Sequence, residues 1–183
     1  MKKLFFVIVF ALASPAHACD WLWSVFAKPC NNAYKAYKTG DDELLISGYS
    51  YHLRSSYTPE KIREFNENAW GIGYGKTAED PDGDTHTFFW LVFRESHRKN
   101  QIHLGYQYNT YWGPRTGLQA SLGYTALLVQ RPDIFSGVPF PAILPVAGIK
   151  WNNTALNVIL IPKVNDKLNN GNVVYLFARH TFK

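Results

Sequence analysis

Apolar and small or polar residues alternate along several segments of the chain. In residues 69–76, large apolar side chains alternate with three glycines, and such alternation places the two sets on opposite faces of a strand. Residues 102–112 and 117–128 repeat this pattern. A period of two predicts β-strands. Because glycine weakens a strand unless a ligand or another backbone comes close, we interpret the glycine face as the interior of the fold.

Turn signals divide the chain into eight such segments. The predicted strands cover 44–56, 68–78, 84–95, 101–112, 116–130, 141–151, 154–162 and 172–182. Each is long enough for the roughly 9 to 11 residues that a tilted membrane strand requires. Eight strands are also enough to close a barrel around side chains or one small ligand. The sequence therefore predicts an all-β, eight-stranded antiparallel transmembrane β-barrel.

The first residues read as a targeting signal. Residues 1–18 combine two lysines, an apolar core and an Ala-His-Ala ending, which is typical of a cleaved signal peptide. We expect a mature chain of residues 19–183. A lipoprotein is the alternative because Cys19 follows directly, although Ala-His-Ala is a poor lipobox. Residues 20–38 predict a short amphipathic helix, interrupted by Pro29, ahead of the barrel.

Composition narrows the possible partners. The chain has 11 Tyr, 12 Phe and 6 Trp, an aromatic content typical of membrane barrels. Its formal charge of +5 falls to +3 without Lys2 and Lys3, which favours membrane lipids over nucleic acid as partners. Cys19 and Cys30 are either bridged or free. No clustered His/Cys spacing suggests a metal site, and no cofactor is implied.

A soluble, lipocalin-like barrel is the alternative fold. Its interior would be apolar and its surface polar, whereas the segments at 102–112 and 117–128 show the reverse arrangement. A membrane barrel is therefore the preferred interpretation.

Candidate chemistry lies where two predicted strands end. With the N-terminus in the periplasm, the first and third strands both finish at the external rim, near His52 and near Glu95-Ser96. Strand alternation puts Glu95 and His97 on one face and Ser96 on the other, unless the chain turns there. A catalytic triad made of the neighbours Glu95, Ser96 and His97 is therefore disfavoured, and His52 is the candidate base for Ser96.

Several collinear motifs resemble the PagP family of outer-membrane lipid A palmitoyltransferases. They are YHLRSSYTPEKIREFNENAWGIGYG, FRES, LGYTA, PFPAILPVA and NNGNV. The resemblance implies an enzyme that moves an acyl chain from the sn-1 position of an outer-leaflet phospholipid to a hydroxyl of lipid A. It implies His52, Glu95 and Ser96 as catalytic residues at the external face of the outer membrane. His52 would act as general base oriented by Glu95, and Ser96 as acyl acceptor or as stabiliser of the tetrahedral intermediate.

Two departures from the family pattern concern the catalytic acid and the lumen. Glu95 stands where the family has aspartate, so its carboxylate lies one carbon further out. Gln107 stands where the family has a glycine at the floor of the acyl pocket, below Gly105. We expect Gln107 to shift the preference to acyl chains shorter than palmitoyl, or altered in shape. Alternatively, Gln107 folds aside and forms hydrogen bonds within the lumen. Gly71 and Gly73 are further expected lumen residues.

Lipid entry and headgroup contacts are also implied by the resemblance. Family prolines that interrupt pairing between the sixth and seventh strands are present as Pro145 and Pro162, which suggests a lateral gate. Those between the first and second strands are replaced by Ser47 and Ala69. In the first external loop, Lys61 and Arg63 are candidates for contact with lipid A phosphates.

Three functions are compatible with these observations. They are a lipid A acyltransferase, a barrel that binds lipid without turnover, and a purely structural barrel. A lumen lined by glycine argues against the third, because a structural barrel would fill its interior with larger side chains.

Overall fold

The chain folds into a closed barrel of eight antiparallel strands in sequence order. The computed structural model describes residue 19, residues 24–165 and residues 168–183, so the predicted signal peptide lies outside the described residues. The strands are β1 Asp41–His52, β2 Asn68–Glu79, β3 Thr85–Arg94, β4 Asn100–Trp112, β5 Leu118–Gln130, β6 Phe140–Trp151, β7 Thr154–Ile161 and β8 Val173–Phe182. The barrel closes through pairing of β1 with β8. The predicted all-β barrel is confirmed.

Three short helices accompany the strands. Helix α1, Ser24–Thr39, precedes the barrel and continues through Pro29, so the predicted interruption at this proline is wrong. Helix α2, Pro59–Glu64, lies in the loop after β1; the Thr58 side chain caps it, and proline suits its first turn. A 3₁₀ helix, Phe135–Gly137, follows β5. No helix in the described part of the chain is long and apolar enough to cross a membrane.

Helix α1 is fastened to one end of the barrel. Ala36 is fully buried, and the ring of Tyr37 meets that of Phe88 edge-on at 5.8 Å between centroids. A disulfide joins Cys19 to Cys30, which settles the alternative that the sequence left open. We call the end that carries α1 the lower end. The upper end is the one at which β1, β3, β5 and β7 finish.

The outer surface of the barrel is apolar. Large exposed side chains project from most strands and include Trp70, Ile72, Tyr74, Trp90, Leu104, Leu122, Leu128, Ile143, Ile149 and Leu156. An apolar outer band around a partly polar lumen is the arrangement of a membrane barrel. It is the reverse of a soluble lipocalin-like barrel, and the soluble alternative is wrong.

The lumen is divided into two halves of different chemistry. In the lower half, Arg179 forms a buried pair with Glu43, with nitrogen–oxygen distances of 2.9 and 3.0 Å, and also donates to Thr87. In the upper half, the buried side chains are mainly apolar. This cluster consists of Leu45, Ala69, Phe89, Leu91, Phe93, Leu127, Val129, Val146, Ile159, Tyr175 and Phe177. The polar half suits water and ion pairs, and the apolar half suits a hydrocarbon chain.

A bulge in β1 changes which residues face the lumen. Pairing with both β2 and β8 shifts register between Ser47 and Tyr49, at Gly48. Below the bulge the odd-numbered residues are buried, whereas above it Ser50 and His52 are buried. Because a bulge inserts one residue, it reverses the alternation. Without it, strict alternation would turn His52 outward.

Strand pairing is incomplete at one place in the upper half. β6 pairs with β7 from Val146 to Trp151 only, so residues 140–145 have no partner on β7 within the described chain. Pro145 begins this unpaired stretch, and Pro162 follows the end of β7. Proline lacks the N–H that a ladder hydrogen bond requires, which explains the gap.

The corresponding position between β1 and β2 is closed. The Ser47 hydroxyl donates a hydrogen bond to the carbonyl of Ala69, and both residues are fully buried. The pairing of β1 with β2 continues on both sides of the bulge. The barrel therefore has one lateral opening in its upper half, between β6 and β7, in the part of the chain that the structure describes.

Candidate active site

A histidine and a serine from separate strands meet at the upper end of the lumen. His52 is the last residue of β1 and is 2% exposed, and Ser96 lies in the turn after β3. The Ser96 Oγ atom lies 2.8 Å from His52 Nε2. This is hydrogen-bond distance, the geometry that a nucleophile and its base require.

A tight turn directs Ser96 towards the lumen. β3 ends at Arg94, Arg98 N–H donates to the Glu95 carbonyl, and Glu95 N–H donates to the Lys99 carbonyl. Arg98 adopts a left-handed backbone with φ of 63°, which lets the chain reverse within a few residues. Simple strand alternation therefore does not apply from Glu95 onwards, and Ser96 can face the histidine.

Glu95 is buried in the same turn but does not reach His52. Its carboxylate accepts hydrogen bonds from the Lys99 backbone at 3.0 Å and from Arg131 at 3.4 Å, and it contacts His97 Nδ1 at 3.0 Å. Among the described residues it makes no hydrogen bond to His52. The expected orientation of His52 by Glu95 is therefore not formed, because these partners hold the carboxylate on the far side of the turn.

A different carboxylate contacts the histidine. Glu67, the residue before β2, places Oε1 3.3 Å from His52 Nδ1 and 3.0 Å from the His52 backbone nitrogen. Arg54 donates to both Glu67 oxygens, at 2.6 and 2.8 Å. The hydrogen bond from Arg54, above all, lowers the pKa of Glu67 to about 2. Glu67 is therefore ionised at any physiological pH.

Sequence reasoning missed Glu67 because nothing near it resembles a catalytic motif. It lies 15 residues after His52 in a long polar loop. The available signal was topological: β1 and β2 are consecutive antiparallel strands, so the residue entering β2 lies beside the one leaving β1.

Aromatic rings hold the His52 imidazole in place. The ring of Phe65 stacks on it at 4.2 Å between centroids, with an interplanar angle of 22°. The ring of Tyr57 meets it edge-on at 5.4 Å. Both residues belong to the loop between β1 and β2, so this loop supplies the packing as well as the carboxylate.

Below this pair lies a cavity of about 620 Å³. The upper parts of β6 and β7 contribute to its wall, including Leu144, Ile161 and Pro162, so the cavity borders the gap between these strands. Its lower limit is an aromatic cluster in which the ring of Phe93 lies 4.9 Å from those of His103 and Tyr175. Apolar side chains from β6 and β7 line one part of the cavity, and polar side chains line both its mouth and its base, where Gln101 and His103 lie. The apolar part of the wall can hold an acyl chain.

The glycines predicted to line the lumen have another role. Gly71, Gly73 and Gly105 face inward, but none contributes to the cavity wall. A Cβ atom on Gly71 would lie 2.2 Å from the Val92 carbonyl oxygen, and one on Gly105 would lie 2.5 Å from the Ala126 oxygen. These glycines let neighbouring strands approach closely, and we find no contact between them and the cavity.

Gln107 lies below the cavity in a polar layer. It is 1% exposed, and its Nε2 donates to Asn109 Oδ1 at 2.6 Å and to Asn157 Oδ1 at 3.3 Å. This layer separates the apolar upper half from the ion pair in the lower half. Gln107 thus forms hydrogen bonds within the lumen, which was one of the two alternatives, and it also closes the lumen beneath the cavity.

The remaining predicted residues lie near the upper rim or beside the gap between β6 and β7. Lys61 contributes to the cavity wall, whereas Arg63 is exposed and pairs with Glu60 at 3.0 Å. Pro162 lines the cavity, and Pro145 faces outward beside the gap.

Glu95, His97 and Asp133 could together approach one cation. Their ligand atoms lie within 4.8 Å of one another. Arg131 already bonds to both carboxylates, at 3.4 Å to Glu95 and 2.7 Å to Asp133, and its charge compensates theirs. The arrangement is that of an ion-pair cluster that fastens the turn carrying Ser96.

Most of the chain matches a known protein family. Residues 32–179 match the family model described as antimicrobial peptide resistance and lipid A acylation protein PagP. The protein named lipid A acyltransferase PagP from Methylobacillus flagellatus is 34% identical over 165 residues, 90% of this chain and 88% of that protein. Its namesake from Bordetella bronchiseptica is 35% identical over the full length of both chains. One from Legionella longbeachae is 35% identical over 90% of this chain and 71% of its own.

Proposed function

The chain belongs to the PagP family of lipid A acylation proteins, and we propose that it is an outer-membrane acyltransferase that uses lipid A as acceptor. The acyl donor is the sn-1 chain of a phospholipid, and the site faces the external leaflet. The observation that carries this proposal is the 2.8 Å contact between Ser96 Oγ and His52 Nε2 at the mouth of a cavity that borders the gap between β6 and β7.

The donor enters from the side. The interrupted pairing between β6 and β7 gives an acyl chain access to the cavity from within a membrane leaflet, and a closed barrel offers no such route elsewhere. The ester group then lies beside Ser96, with the chain below it. Lys61 at the rim supplies a positive charge for a phosphate of either lipid.

Of the two serine roles, the short contact with His52 favours nucleophilic attack. Ser96 Oγ bonds to the ester carbonyl carbon as its proton passes to His52 Nε2. The carbon–oxygen bond to the glycerol breaks, His52 returns the proton to the leaving oxygen, and lysophospholipid departs. A lipid A hydroxyl then gives its proton to His52 Nε2 and attacks the acyl carbon. The ester bond to Ser96 Oγ breaks, and His52 returns the proton to Oγ, which restores Ser96 and the neutral base.

Expression in a strain without its own lipid A palmitoylation tests the function. Mass spectrometry of lipid A should detect one added acyl chain with the parent protein and none with His52→Ala or Ser96→Ala. Two matched controls, His180→Ala and Ser55→Ala, change exposed residues that do not line the cavity and should keep the product. An unmodified lipid A from correctly assembled parent protein would refute the proposal and favour a lipid-binding barrel without turnover.

The serine role has a separate test. Incubation of purified protein with a phospholipid donor alone should leave an acyl ester on Ser96, detectable by peptide mass spectrometry. Full transferase activity of Ser96→Ala would exclude the acyl-serine route.

A further inference from the structure

Several hydrogen bonds hold the carboxylate of Glu67 beside His52, and the reaction described above gives Glu67 no role. Its carboxylate accepts from the His52 backbone, from both terminal nitrogens of Arg54, and from the Tyr49 hydroxyl at 2.8 Å. The fifth partner atom, His52 Nδ1, lies 3.3 Å from Oε1. Five partner atoms from three residues thus converge on one side chain.

We propose that Glu67, fixed by Arg54, is the positioning residue for His52, the role that sequence reasoning gave to Glu95. The inference rests on the proposed function, because it concerns the base of the same site. It adds a residue that neither lines the cavity nor belongs to the motif around Ser96.

The chemical reason is the tautomer of the imidazole. A neutral histidine carries one N–H, and a carboxylate on one side fixes it there. With Glu67 beside Nδ1, the hydrogen resides on Nδ1, and the lone pair of Nε2 points at the Ser96 hydroxyl. When His52 takes up a proton during the reaction, the Glu67 carboxylate stabilises the cation.

The charge of Glu67 is secured by its surroundings. The Arg54 hydrogen bond holds the pKa of the Glu67 carboxyl far below its usual range, at about 2. Arg54 NH1 also donates to the His52 carbonyl at 2.9 Å. The arginine therefore ties together the backbone of the base and the side chain that orients it.

Backbone contacts place Glu67 independently of its side chain. The Glu67 carbonyl accepts from Ser50 N–H at 2.9 Å, which continues the pairing of β1 with β2. The neighbouring Asn66 N–H donates to the Ser96 carbonyl at 2.8 Å. The segment that carries Glu67 is thus joined both to the strand of the base and to the turn of the nucleophile.

The test compares Glu67→Leu with Glu60→Leu in detergent-solubilised protein. Glu60 is an exposed carboxylate in the same loop, so its replacement is matched in charge and size. We expect Glu67→Leu to lower kcat by about 10²-fold, with KM within about twofold of the parent. Glu60→Leu should stay within about twofold in both. Glu67→Asp keeps the charge on a shorter side chain, and its kcat should be about tenfold higher than that of Glu67→Leu.

A spectroscopic readout separates positioning from general structural support. In ¹⁵N-histidine-labelled parent protein, His52 should show one tautomer with the hydrogen on Nδ1, and Glu67→Leu should show a mixture. Activity of Glu67→Leu within about threefold of the parent would overturn the inference. So would a large loss of activity with the parental tautomer retained. If the leucine variant does not assemble, Glu67→Ala, which also lacks an acceptor, is judged by the same two measurements.

The outcome is distinguishable from failure of the proposed function. Absence of transfer by the parent protein would refute the acyltransferase. The tautomer comparison needs no turnover and would still decide whether Glu67 orients His52.

Discussion

Replacement of Gln107 by glycine should lengthen the acyl chain that the protein prefers. Gln107 is fixed in the lumen by hydrogen bonds to Asn109 and Asn157. Side chains above it, such as Leu91 and Leu127, are apolar, so a hydrocarbon chain can displace them and replace their contacts. Displacing the amide layer would instead leave buried polar groups unpaired, at about 1–3 kcal/mol each. The cavity itself ends at the cluster of Phe93, His103 and Tyr175, so a bound chain reaches the polar layer by displacing apolar side chains, and we expect the polar layer to be the floor that stops it.

The distance from Ser96 to this floor sets the chain length. The last layer above Gln107 contains Phe89 and its β4 partner Gly105, seven residues along the chain from Ser96. Strands rise about 3.3 Å per residue and tilt by about 40°, so this layer lies about 17 Å below the serine. With C–C bonds of about 1.5 Å, an extended chain advances about 1.3 Å per carbon, which gives about 13 carbons. We expect a preference for chains of about 12–14 carbons over palmitoyl.

Gln107→Gly removes one inward layer of side chains. Inward residues recur every second position, so one layer measures about 5 Å along the barrel axis, or about 4 carbons. The preference should move to about 16–18 carbons. Transfer by purified protein from phosphatidylcholines with 10- to 18-carbon chains, with lipid A as acceptor, measures both profiles.

A second buried glutamine offers a matched control. Gln119 faces the lumen in the lower half and is 8% exposed. Gln119→Gly makes the same chemical change below the floor and should leave the chain-length profile unaltered. The reasoning fails if palmitoyl is the best donor chain of the parent, or if both glycine variants shift the profile equally.

Three further predictions concern stability, lipid entry and pH. Arg179→Met should lower the free energy of unfolding in urea by about 3–5 kcal/mol, because it strands the buried charge of Glu43. Cysteines at Leu144 and Ile161, once joined by oxidation, should abolish transfer by closing the lateral gap, and reductant should restore it. Acid should weaken the contacts of Glu67. Their contribution to the free energy of unfolding is complete above the ordinary pKa of 4.5 and is lost as the pH falls towards the folded-state pKa of about 2. Urea unfolding at several pH values measures this loss.

Each of these has a specific control. Replacing both members of the buried ion pair by leucine should cost less than Arg179→Met, and a larger cost would contradict the charge argument. A cysteine pair at Ala147 and Val158, which are paired across β6 and β7, should leave oxidised protein active. Glu67→Gln should lack the acid-dependent loss between about pH 4.5 and 2; an unchanged profile would assign that loss to another group.

The sequence predicted the barrel because the alternating pattern repeats in several segments of the chain. Alternation in residues 69–76, 102–112 and 117–128 correctly identified the inward faces of β2, β4 and β5. The first strand was placed at 44–56, but it ends at His52. The error lies at the end of the strand, where the alternation of apolar and polar residues stops. Helix α2 begins seven residues after His52, and a helix of six residues with few buried contacts leaves no periodic pattern that would mark the boundary.

The candidate site was predictable only in part. Chain topology and the motif resemblance correctly predicted that His52 and Ser96, which are 44 positions apart, lie together. The family resemblance then assigned Glu95 to the histidine. The side chain of Glu95 is instead drawn to the Lys99 backbone and Arg131. Which carboxylate meets a base depends on the geometry of a turn and on competing donors, and neither is encoded in residue spacing.

The two irregularities of the barrel lie where the chemistry requires them. An unbroken β1 would turn His52 into the lipid, and the bulge at Gly48 reverses the alternation so that the base faces inward. An unbroken pairing of β6 with β7 would seal the cavity, and Pro145 begins the stretch in which pairing fails. A regular eight-stranded barrel would be a better closed structure, but it would have neither an inward base nor an entrance for lipid. The departures from regular pairing are therefore as informative about function as the polar residues, and a search for function in small membrane barrels should begin with them.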